Sequence, residues 1–327
     1  MDDKYCFSSC FAPFISDLIT EKKNAGYQYE HAAWILQKFD LFCIKENITD
    51  PIITRVIAQK WGTLRENEGK TTLSGRISVL RQLSLYMQAY GIESYVPRHF
   101  TSKKRHLAYV LNKDEIIALF IEIDSYTPAI NAEVFQRLAM EYKVLFRMIF
   151  CCGLRVSEAR KLRLNMVDLE NGILTIHQSK GNHDRLVYMP EDLCVLCRKY
   201  LEILISKYKL ESDLFFPASN PQKELQVSSI GKRFHQAWEK TPYARKNVLQ
   251  PTVHSLRHTF VVMRMNAWME SGIKLDTMMP YLSKYLGHTS PDETFYYYHQ
   301  VEEAFSIIRK KDNSEMSVIP EVSENED

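Results

Sequence analysis

A chain of 327 residues with 45% hydrophobic and 25% charged side chains has globular proportions and length enough for two domains. Only 11 Gly and 12 Pro argue against a loop-rich β protein, and apolar runs interrupted by charges, as at Arg147, exclude a membrane span. The net charge is +2, but six acids and no base follow Lys311, so residues 1–311 carry +8, a basic body with an acidic tail that suits a polyanionic partner.

Residues 1–95 show four apolar stripes at helical spacing and predict a small helical bundle. The stripes are Phe14, Ile15, Leu18 and Ile19; then Trp34, Ile35, Lys38, Phe39 and Phe42; then Ile52, Val56, Ile57 and Trp61 after Pro51; and last Leu73, Ile77, Leu80 and Met87, ending near Gly91. Lys70, Arg76 and Arg81 fall on the polar faces, as candidate phosphate contacts or as plain solvated surface. Residues 96–106 lose the periodicity and hold Lys103, Lys104 and Arg105, which reads as a basic linker able to lie along a phosphate backbone.

A second domain, 107–300, opens with helices at about 113–123 and 131–152. Gly153 stops the second of these, and Ser157 is placed to cap the next, so Arg155 stands at a junction where its side chain can be held in one orientation. Met166–Leu169, the Asn171-Gly172 turn and Ile173–Ile176 predict two strands of a hairpin, and Leu186–Met189 a third, with Lys180 at the tip of the second turn. Further helices are expected at roughly 191–208, 228–240, 253–269, 275–286 and 291–309.

The seven cysteines form no zinc pattern, since the lone Cys194-x-x-Cys197 has no second pair and lies on an apolar helix face. Buried, reduced thiols are expected there and at Cys151 and Cys152, which fits a reducing cytoplasm. The N-terminus carries Asp2 and Asp3 and no secretory pattern.

His254 and Arg257 lie three apart on one predicted helix and share a side of it. Leu286-Gly287-His288 and Thr294-Phe-Tyr-Tyr297-Tyr-His299 follow. Arg, His and Tyr together suit phosphate chemistry: an arginine clamps the anion, a histidine moves a proton and a phenol can attack. Gly153-Leu-Arg155-Val-Ser-Glu158, Lys180, His254-Ser-Leu-Arg257, Leu286-Gly287-His288 and Tyr297, in this order, resemble the tyrosine recombinase (phage integrase) family with the two-domain Xer-type layout. The fold implied is mainly α with a small antiparallel β-meander.

The resemblance implies a site-specific DNA recombinase of integrase or transposase type, serving a mobile element or a replicon. It would cleave and rejoin double-stranded DNA through a 3′-phosphotyrosine. In this reading Arg155 and Arg257 clamp the non-bridging oxygens, Tyr297 attacks, His254 accepts its proton, Lys180 protonates the leaving oxygen and His288 helps to place phosphate and tyrosine. Glu158 orients the arginines. His258, next to Arg257, is expected to face elsewhere as buried support, and Tyr296, Tyr298 and His299 to pack. No metal or other cofactor is implied. A dimer on inverted-repeat core sites, a tetramer in synapsis and accessory or sister recombinases are the implied partners.

Residues 301–311 carry Val301, Ala304, Phe305 and Ile308 as an apolar stripe, expected either to dock into a neighbouring protomer or to pack at home. Residues 312–327 form the acidic tail. The rival readings are a type IB topoisomerase-like enzyme and a DNA-binding protein that has lost catalysis.

Overall fold

The computed structural model describes residues 5–98, 108–177, 184–245, 249–288, 290 and 292–297. The fold is mainly helical with one small antiparallel sheet, and the chain divides into two compact units, 1–106 and 107–327.

The first unit holds α1 (Ala12–Asn24), α2 (Glu30–Lys45), α3 (Arg55–Trp61) and α4 (Lys70–Ala89) around Phe11, Ile15, Leu36, Phe39, Trp61, Leu80 and Leu83. Thr54 caps α3 by accepting from the Ile57 amide at 3.2 Å. Two expected stripes are only partly in phase with the core: Ile35, Phe39 and Trp61 are buried as expected, whereas Trp34, Ile52 and Val56 are not. On α2 the buried face runs through Ala33, Leu36, Phe39 and Cys43, while Trp34 is 45% exposed with the Lys38 ammonium over its ring. The third helix starts at Arg55, not after Pro51, which leaves Ile52 and Val56 exposed.

Arg76 corrects a larger expectation. It is buried at 4% exposure, with its guanidinium against the Trp61 ring. It donates to the Trp61 and Thr63 carbonyls and to both oxygens of Glu68. A guanidinium so engaged ties the 61–68 loop to α4 and is not offered to a phosphate. Arg81 is half-buried and donates to the Pro97 carbonyl at 2.8 Å, and Lys70 is exposed at the start of α4. Lys103, Lys104 and Arg105 lie outside the described residues.

The second unit is built on α6 (Glu133–Cys152), which packs against α8 (Glu191–Ser206) and α10 (Val253–Glu270). Before α6 comes α5 (Lys113–Asp124), begun by a reciprocal Asn112–Glu115 capping box. After α6 come α7 (Val156–Ala159) and the sheet β1 (Val167–Asp168), β2 (Ile173–Ile176) and β3 (Arg185–Tyr188) in the order β1-β2-β3. Asn171-Gly172 turns between β1 and β2 with Gly172 at φ +66°, and the Asp168 carboxylate accepts from the Glu170 and Asn171 amides. Leu174, Ile176 and Val187 alternate inward onto the core, with Leu174 opposite Val187. α9 (Val227–Trp238), α11 (Leu275–Leu286) and α12 (Asp292–Phe295) complete the unit. Of the helix expected over 291–309 the described residues hold α12, with Tyr296 and Tyr297 in the turn that follows, and 298–309 lie outside the described residues. No helix among the described residues is long and apolar enough to cross a membrane.

Two helices that aim at the site end on glycines in the left-handed region, Gly153 after α6 and Gly287 after α11, each at φ +63°. At Gly153 an added Cβ would stand 2.5 Å from Cδ1 of Phe260. Gly153→Ala combines left-handed strain with overpacking against a ring that cannot slide away. It should cost roughly 2–4 kcal/mol, read as a lower urea midpoint with unchanged slope.

Candidate active site

Arg155 sits between the end of α6 and α7. Ser157 is not the cap expected there: Arg155 holds the cap position, and Glu158 reaches back to accept its amide at 2.8 Å. The Arg155 guanidinium donates to Glu158 Oε1 at 2.8 Å and to the Gly287 carbonyl at 2.9 Å. Arg257, one turn into α10 and 1% exposed, donates to the Gly153 carbonyl at 2.7 Å and the Leu286 carbonyl at 2.8 Å. The two guanidiniums therefore rest on carbonyls at the C-terminal ends of α6 and α11, where the aligned peptide dipoles favour positive charge. Each has more N–H donors than these bonds use.

Glu158 binds more than Arg155. Arg185, the first residue of β3, grips it with two bonds of 2.9 and 2.8 Å and donates a third, at 2.8 Å, to the Tyr285 carbonyl on α11. Arg257 lies 3.8 Å from the same carboxylate. Burial alone would raise the Glu158 carboxyl, but the bonds and charge of Arg185, joined by Arg155, hold it below the usual carboxylate range. Sequence reasoning missed Arg185, reading it only as the end of a turn. A strand-edge arginine followed by an apolar Leu-Val pair was the available signal.

His288 follows Gly287. A guanidinium only donates, so Nε2 of His288 accepts from Arg257 at 3.1 Å, and its Nδ1 donates to Thr294 Oγ1 at 2.7 Å. Thr294, fully buried on α12, thus fixes the ring. Three residues on, Tyr297 is 4% exposed, and its hydroxyl is 2.7 Å from Nδ1 of His258. Tyr296 points its hydroxyl to the Ala108 amide instead, at 3.1 Å. Tyr298 and His299 lie outside the described residues.

The position of His258 corrects the expectation that it faces elsewhere. His254, Arg257 and His258 are spaced i, i+3 and i+4, so all three share one side of α10. The His254 ring stands edge-on to His258, with centroids 4.4 Å apart. Desolvation, then the charges of Arg257 and Arg155, depress His254 to about 4, although part of the residue stays open to solvent. Desolvation, with His254 and Arg257 beside it, depresses His258 to about 3. Both rings are neutral at pH 7. Burial pushes the Tyr297 phenol up to about 12 against the opposing pull of Arg257, and Arg257 itself is lowered to about 10 by burial and then by Arg155.

Lys180 lies outside the described residues. His177 and Asp184, at the two ends of the 178–183 segment that carries it, pair at 3.0 Å. Among the described residues no group of three or more His, Cys, Asp or Glu could hold a metal ion. The arrangement joins two arginines able to grip an anion, neutral imidazoles able to take a proton and a phenol beside them.

Residues 110–304 match the phage integrase family. The chain is 25% identical over 306 residues to the integrase/recombinase-type protein y4rE of Sinorhizobium fredii, covering 88% of this chain and 93% of that one. It is 26% identical over 242 residues to tyrosine recombinase XerC of Lacticaseibacillus casei, covering 72% and 74%. In fold it is similar to the XerH site-specific recombinase bound to palindromic difH substrate, with a TM-score of 0.61, 20% identity and 85% and 78% of the two chains covered. It is similar too to a lambda integrase dimer bound to a core site, with a TM-score of 0.57, 15% identity and 95% and 99% covered.

Proposed function

The chain belongs to the phage integrase family, and from that premise we propose that it is a site-specific DNA recombinase working through a covalent 3′-phosphotyrosine. The observation that carries the reading is the convergence of Arg155, Arg257 and His288 at the ends of α6 and α11, with the Tyr297 hydroxyl, from the turn after α12, against His258 of α10. A phosphodiester under attack gains charge on its non-bridging oxygens, and fixed guanidinium donors stabilise that charge more than they stabilise the ground state. Tyr297 is the nucleophile. Its phenol must lose a proton as it attacks, which neutral imidazoles on α10 can accept.

Lys180 is proposed as the acid that protonates the departing 5′ oxygen. The phosphotyrosine bond retains the energy of the broken linkage, so a 5′-hydroxyl from a second duplex can reverse the step. The proposed partner is therefore double-stranded DNA bearing paired core sites, held by a dimer per site and four protomers in the synapse. Residues 301–311 are proposed to dock between protomers.

The test is a plasmid bearing two copies of the core site, recovered by selecting bound duplexes from a randomised pool. Incubation with the full chain alone, or with a sister recombinase, should delete or invert the segment between the sites. Supercoil relaxation with no exchanged product would replace this reading with a topoisomerase.

A further inference from the structure

We propose that His258 is a further catalytic residue, the group that takes the phenolic proton of Tyr297 at Nδ1 and later returns it. The inference rests on the recombinase reading and deepens it. The sequence pattern points to His254 for this task, yet the hydroxyl of Tyr297 is held by His258, at 2.7 Å, with the rings tilted and their centroids 5.2 Å apart. The His254 ring stands edge-on against His258, centroids 4.4 Å apart, and is positioned to steady it. General-base work needs hydrogen-bond reach first.

The electrostatics agree with the geometry. A neutral imidazole has one free nitrogen lone pair, and burial beside Arg257 keeps His258 neutral at physiological pH. A DNA phosphate against Arg257 and Arg155 would offset the guanidinium charge that opposes protonation of the ring, so proton affinity rises when substrate arrives. In the step, Oη gives its hydrogen to Nδ1 while its electron pair forms the bond to phosphorus. The bond from phosphorus to the 5′ oxygen breaks, and that oxygen takes a proton from the acid assigned to Lys180. On rejoining, the incoming 5′-hydroxyl yields its proton to that same acid, the bond to Oη breaks, and imidazolium His258 reprotonates the phenol.

The test compares the full chain with its His258→Asn variant on a nicked duplex of the selected core site. Asn can hold the hydroxyl near Nδ1 but cannot take the proton. Covalent capture should fall about 100-fold at neutral pH and then climb with rising pH where the unaltered chain is flat. Difluorotyrosine at position 297, a more acidic phenol, should recover much of the loss in His258→Asn and little in the unaltered chain. His258→Gln, with thermal melting to confirm folding, guards against a misfolded variant. Capture by both variants at the unaltered rate and with the unaltered pH profile overturns the proposal. Faster capture also overturns it, because His258 would then be a latch. If the unaltered chain captures no DNA, the recombinase reading fails and this proposal falls with it. If the unaltered chain captures DNA and the variants match it in rate and pH profile, this proposal fails alone.

Discussion

Tyr297→Phe will capture no DNA covalently, while Tyr296→Phe and Tyr298→Phe will. Removing the nucleophile of a covalent mechanism lowers the chemical step by on the order of 10⁴-fold or more, which in a single-turnover capture assay means no adduct. Three consecutive tyrosines make the comparison sharp, because neighbouring positions differ widely in direction and only one hydroxyl can sit among the arginines. The Tyr297 hydroxyl meets His258, whereas that of Tyr296 meets the Ala108 amide. Tyr296→Phe and Tyr297→Phe each lose one hydrogen bond, worth about 1 kcal/mol, so stability should change little and similarly at 296 and 297. Activity and stability are thereby separated. Denaturing gels of a nicked core-site duplex read the first, and urea melts read the second. Adduct formation by Tyr297→Phe, or its loss only in Tyr296→Phe, would move the nucleophile.

Much of this arrangement was legible in the chain. Gly153 and Gly287 each close an apolar helical run, and a helix that stops on glycine leaves its last carbonyls at a known place. Asn171-Gly172 between two β-branched runs gives the hairpin for a similar local reason. What was not legible depends on partners distant in sequence. Arg76 reads as part of a polar face, since nothing in the sequence near it says that the Trp61 carbonyl and Glu68 will receive it. Trp34 and Phe39 both suit a core, and only tertiary packing chooses between the phases of α2. Arg185 is separated from Glu158 by the whole sheet excursion, and strand alternation cannot say which charge turns inward. His258 was recoverable from its four-residue spacing to His254. The one-residue step from Arg257 obscured it, because it implies a different direction while Arg257 and His258 still meet His288 and Tyr297 of the same segment.

Glu158→Gln should be the most destabilising single change at the site, by about 3–5 kcal/mol. The carboxylate bridges Arg155 and Arg185 and lies 3.8 Å from Arg257, and its side chain is only 6% exposed. A neutral amide of the same shape keeps the volume but leaves three guanidiniums facing one another in a poorly solvated space. Because its pKa in the folded chain is depressed, the stabilisation from Glu158 is fully present above the ordinary carboxylate value, near about 4.3. It is lost as pH falls through the lower folded value. The gap between the unaltered chain and Glu158→Gln in urea melts should therefore be full at pH 7 and close progressively below about pH 4. Arg185→Met is the discriminating companion. It removes a cation and the strut to α11 but leaves Glu158 paired with Arg155, so it should cost less than Glu158→Gln. The two losses should also be strongly non-additive in a double-mutant cycle. Simple addition would mean that the strand and the arginine cleft are not energetically joined through this carboxylate, and the charge balance that orients Arg155 would have to be sought elsewhere.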